Sequence, residues 1–64
     1  MNIVVNKPSG RWTIYQDSKN MIIIEKDNIV MEIINSSTKI KSKNAFKLLS
    51  YSIYKYEKGI NNEN

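Results

Sequence analysis

Apolar residues recur at every second position through Ile3, Val5, Trp12 and Ile14, the period of a half-buried strand. Lys7-Pro8-Ser9-Gly10 interrupts that run with Pro at its second position and Gly at its fourth, the residues of a type I turn. Closing the turn with Asn6 opposite Arg11 sets Ile3 against Ile14 and Val5 against Trp12 on one face. The other face then receives Val4 with Thr13 and Asn2 with Tyr15. A slip of one residue would turn every apolar side chain to the wrong side.

A second hairpin is predicted around Asp27-Asn28, two residues that tolerate left-handed backbone. Pairing Lys26 with Ile29, Ile24 with Met31 and Ile22 with Ile33 gives a core face of Ile22, Ile24, Ile29, Met31 and Ile33. The reverse face then holds Met21, Ile23, Val30 and Ile34, broken by Glu25 and Glu32. Asp17-Ser18-Lys19-Asn20 supplies the turn between hairpins, and Thr38–Lys41 is expected to add a short fifth strand after the Asn35-Ser36-Ser37 loop.

From about Lys43 the spacing changes. Phe46, Leu49, Ile53 and Tyr56 follow one another by three, four and three, which predicts a helix to about Lys58 with that stripe, flanked by Ala45, facing inward. Ser42 is the expected N-cap and Gly59 the expected C′ residue. The fold class is therefore α+β: a small curled antiparallel sheet or SH3-like barrel of four to five strands, then one C-terminal helix. One domain is expected over residues 1–60, with a disordered polar tail at 61–64.

Sixty-four residues allow a single domain of modest stability. The chain has no Cys and no His, and its two glycines lie far apart. Disulfides, Cys/His metal sites, nucleophilic triads and Gly-rich phosphate loops are thereby excluded. No catalytic, cofactor or metal residue is assigned, and the chain is read as a non-enzyme. Its longest apolar run, Met21 to Ile24, is far too short to span a bilayer, and no secretory signal is visible. A cytoplasmic location is expected, including that of a virus- or phage-infected cell. Glu25 and Glu32, expected as diagonal neighbours on the reverse face, read as charges that keep a sheet face wet.

Charge alters the picture through its distribution. Lysine is common here beside Ile and Asn, a pattern A/T-rich coding alone can produce, so the total of +4 carries little weight. In residues 1–37, however, four basic side chains balance four acidic ones. In residues 38–64, Lys39, Lys41, Lys43, Lys47, Lys55 and Lys58 face only Glu57 and Glu63. At 100° per residue, Lys47, Tyr51, Tyr54, Lys55 and Lys58 share the helix side opposite Leu49.

Lysines neutralise phosphates and release counterions, and tyrosines stack on bases or lie against sugars. The expected site is therefore Lys39, Lys41, Lys43, Lys47, Tyr51, Tyr54, Lys55 and Lys58, binding nucleic acid, duplex or single-stranded, with low specificity. One Arg in the whole chain leaves little means of bidentate guanine reading. The alternative is a protein-interaction module, either a homodimer or an inhibitor or accessory subunit of the phage, virus or plasmid type. It would use the apolar face of Met21, Ile23, Val30 and Ile34, which one helix cannot cover together with the core face. Trp12, beside Val5, reads as core. Membrane-surface attachment by the basic helix is a weaker third option, because the core already needs its apolar stripe.

In outline, two hairpins, a short strand and the Ser42-to-Lys58 helix resemble the small chromatin proteins of thermophilic archaea over most of the chain. That resemblance implies an SH3-like barrel plus helix, with duplex DNA bound non-specifically through the sheet. No motif corresponds residue by residue, so no site positions follow from it. The same element order is similar to the four-strand-plus-helix unit of dimeric single-strand binders.

Overall fold

The computed structural model describes residues 1–61. Four strands, β1 (Asn2–Lys7), β2 (Gly10–Gln16), β3 (Ile22–Lys26) and β4 (Ile29–Ile34), precede one helix, α1 (Ser42–Asn61). The strands form an antiparallel meander in the order β1-β2-β3-β4. The sheet is open and does not close into a barrel: β1 and β4 are its two edges.

The first hairpin takes the register its pattern dictates, Ile3 opposite Ile14, Val5 opposite Trp12 and Asn6 opposite Arg11. Asp27 and Asn28 both adopt positive φ, 53° and 67°, and close the second hairpin with Lys26 opposite Ile29. The Asp27 turn also grips the neighbouring strand. Its Oδ1 accepts the Arg11 N–H at 2.9 Å, and its own N–H donates to the Arg11 carbonyl at 2.8 Å. Gly10 lies against the same carboxylate at φ +147°. A Cβ added there would stand 2.6 Å from Asp27 Oδ2, so Gly serves both for its backbone and for the close approach.

The remainder of the second hairpin departs from simple alternation. Ile24 faces Glu32 and Glu25 faces Val30, which leaves Met31 as an extra residue, a β-bulge. Beyond the bulge every side chain of β4 changes side. Ile34, expected on the reverse face, packs against the core, while Met31 and Ile33, expected in the core, are exposed; Ile29, before the bulge, keeps its expected place opposite Lys26 and is exposed nonetheless. Glu32 turns toward the helix, so it and Glu25 lie on opposite faces and form no carboxylate pair.

The expected fifth strand is absent, and the Gln16 side chain does its work. Gln16 Oε1 accepts the Ile40 N–H at 2.9 Å, and Nε2 donates to the carbonyls of Thr38 at 2.9 Å and Asn20 at 3.1 Å. One amide thus satisfies backbone groups that a ladder would otherwise pair, and brings Ile40 against the core.

The core lies between one sheet face and α1: Trp12, Ile14, Ile22 and Ile24 against Ala45, Leu49 and Ile53. Trp12 meets Tyr56 edge to face, with centroids 5.5 Å apart. Phe46, expected inward, is exposed; the flank opposite it, Leu48 and Ser52, turns in instead. The Ala45 N–H donates to the Lys41 carbonyl at 2.9 Å, which makes Lys41 the cap position and puts Ser42 inside the first turn. At the other end the helix runs through Gly59 to Asn61. The rest of the expected tail lies outside the described residues.

Two outcomes follow for solution measurements. Gln16→Ala, which frees the segment leading into α1, should lower urea-unfolding stability by about 2 kcal/mol. Gln16→Glu keeps the acceptor for Ile40 but sets a carboxylate oxygen against the Thr38 and Asn20 carbonyls, so it should not restore the wild-type stability. Asp27 is held below its ordinary value of 3.8, first by the Arg11 backbone N–H and then by Lys26. A carboxyl depressed on folding adds stability that is complete above the unfolded value and lost as pH falls through the folded one. The stability difference between the wild type and Asp27→Asn should therefore shrink as pH is lowered below about 4.

Candidate nucleic-acid interface

The helix positions the basic side chains, and the apolar stripe beneath it decides which way they point. With Ala45, Leu49 and Ile53 buried against the sheet, helical geometry carries Lys43, Lys47, Tyr51, Tyr54 and Lys58 to the solvent side. All five are exposed, and the stripe runs roughly 22 Å from Lys43 to Lys58. Lys39 and Lys41 are exposed in the segment before the helix, flanking the half-buried Ile40.

Lys55 is set apart from the others. Its Nζ is 3.7 Å from Glu32 Oε2 and 4.7 Å from the Tyr51 ring centroid. The bulge makes this possible by swinging Glu32 to the helix side, where Oε1 also accepts the hydroxyl of buried Ser52 at 2.6 Å. Of the six C-terminal lysines expected to face phosphate, one is therefore partly neutralised by a strand carboxylate. Among the described residues the only other ion pair is Lys26 with Asp27 at 3.1 Å, so Lys39, Lys41, Lys43, Lys47 and Lys58 have no carboxylate partner there.

Glu57, the remaining acid on the described part of the helix, also points elsewhere. Its Oε2 accepts the Ser9 hydroxyl at 3.2 Å, and Ser9 Oγ in turn accepts the Trp12 indole N–H at 3.1 Å. The relay ties the first turn to α1 and keeps negative charge off the lysine stripe. Lys58 Nζ stands 5.8 Å from the Tyr54 centroid. Tyr51 and Tyr54 each therefore carry an ammonium group near one ring face, and this reduces the ring surface open to base stacking.

The reverse face of the sheet has no helix over it. Ile23 is half-buried there, next to exposed Val30 and Ile33, and Met21 just precedes β3; Ile34, expected in this set, is on the other side. The Tyr15 hydroxyl donates to Glu25 Oε2 at 2.9 Å. That bond, ahead of burial, raises the tyrosine above its ordinary value. Arg11, the sole Arg, is exposed and alternates to this side, away from the lysines.

Sequence reasoning missed the Glu32–Ser52–Lys55 cluster because it depends on one extra residue in β4. The available signal was Ser52, a polar residue beside the apolar stripe and therefore in need of a buried partner. No family model, curated protein or solved structure matches this chain.

Glu32→Ala leaves the Ser52 hydroxyl buried without an acceptor and should cost about 1–3 kcal/mol in chemical unfolding. Glu32→Gln retains an acceptor and releases only Lys55, so its loss should be clearly smaller.

Proposed function

We propose that this chain binds the phosphate backbone of nucleic acid, with low sequence specificity, through the outer face of α1. Lys43, Lys47 and Lys58 make the main contacts, and Lys39 and Lys41 extend the field at the helix start. Tyr51 and Tyr54 offer hydroxyl groups. Lys55 acts chiefly as a brace to Glu32. The observation carrying this reading is a lysine stripe of roughly 22 Å with no carboxylate partner among the described residues.

A second feature supports it. The first turn of α1 contains no acidic residue and does contain Lys43, although the helix dipole favours a negative group there. A phosphate near that turn offsets the conflict. Contact with the backbone is favoured over base stacking because each tyrosine already has an ammonium group near its ring. The single Arg on the opposite side leaves the lysine face without bidentate base reading. No chemistry is assigned to the site; the role is binding.

Titration of a random-sequence duplex by fluorescence anisotropy at several salt concentrations tests this. Affinity should fall steeply with salt, with a log–log slope of about 0.9 for each phosphate neutralised. Replacing Lys47 and Lys58 together by Gln should reduce that slope by about 2 without changing the helical circular dichroism signal. Lys55→Gln should change it less than either. Absent or salt-independent binding overturns the proposal.

A further inference from the structure

The most exposed apolar strand is β4, and the nucleic-acid reading does not use it. Ile29 is 66% exposed, Val30 51%, Met31 42% and Ile33 58%. The strand is also a sheet edge, so its outward backbone groups are unpaired. Edge strands are commonly blunted by Lys, Pro or an outward charge. β4 has neither Lys nor Pro, and its one charge, Glu32, is turned toward Ser52 and Lys55. The bulge at Met31 does interrupt the edge, which limits main-chain pairing to short stretches and leaves side-chain contact to carry an interface.

We infer that a second copy of this chain covers β4, forming a two-fold dimer centred on Ile29, Val30, Met31 and Ile33. Charge selects the occupant. Each chain carries +4, with its excess in the C-terminal part, so two copies repel when their helical sides approach. They meet with less of that cost along β4, whose one charge, Glu32, is engaged by Ser52 and Lys55. The same lack of free charge gives a strongly acidic or basic partner little to recognise. A two-fold contact is also self-complementary, because each apolar strand supplies the surface the other needs.

The area is consistent with this occupant. Four side chains exposed by about half present roughly 400 Å² per copy, of which an edge contact covers a part, so a pair with its strand backbone buries less than about 1,000 Å², the range of weak and transient interfaces. The dimer is therefore weak and concentration-dependent. The inference stands on β4 alone, and its test reads mass rather than nucleic-acid binding.

Sedimentation velocity or light scattering on the full chain, from micromolar to submillimolar concentration, should show the mass rising from one chain toward two. Val30→Lys combined with Ile33→Lys alters only exposed positions and should hold the chain monomeric with its circular dichroism spectrum unchanged. Val4→Lys lies on the same bare face at the opposite edge and should dimerise as the wild type does. A wild type that stays monomeric throughout overturns the inference and leaves the strand to a different protein. So does assembly that survives the paired substitution, or that Val4→Lys abolishes equally, since the latter means sheets stacked face to face.

Discussion

The single extra residue in β4 governs how this small fold divides its surface. Without the bulge, strict alternation from the Asp27-Asn28 turn would send Met31 and Ile33 under the helix and Glu32 out to solvent. With it, Ile34 packs against the core and Glu32 comes within reach of α1. The exchange has a cost and a return. It leaves Ile33 in water, and it supplies an acceptor to Ser52, which is buried too deeply to find water readily. An unpaired buried hydroxyl is expensive, so the sheet distortion and the polar residue in the helix stripe stabilise each other.

Much of the fold was readable from residue order because its determinants are local. The register of β1 with β2 follows from turn residues and alternation, and the positive φ values at Asp27 and Asn28 follow from side chains that tolerate them. The helix was visible from its three-and-four spacing. What escaped was set by contacts distant in sequence. Ile29 to Ile34 is apolar at five of six positions, so period alone cannot say which of them point inward. The Thr38–Lys41 segment looked like a strand because it alternates, yet Gln16 holds it with one amide. The expected site residues were legible as a helix face, but the distinction between Lys55 and its neighbours required knowing where Glu32 points.

The fold also sorts charge by where its acids are anchored. Asp27 is engaged by the Arg11 backbone and Lys26, Glu25 by Tyr15, Glu32 by Ser52 and Lys55, and Glu57 by Ser9. Each carboxylate is held by a hydrogen bond that also joins two parts of the structure. The described acids on the strands and helix thus serve as internal fasteners, while most C-terminal lysines remain in solvent. Positive potential on the helix is a by-product of how the domain is fastened together as much as of how many lysines it has.

Trp12 touches several of these fastenings at once. Its ring is buried among strand and helix side chains, its indole N–H reaches the first turn, and it packs edge to face with Tyr56. As the only tryptophan, it is an intrinsic optical probe of whether the helix is seated on the sheet. Its emission colour follows the wetness of that seam, separately from the backbone signal. A state in which α1 stays wound but swings away would register in fluorescence while leaving ellipticity nearly untouched.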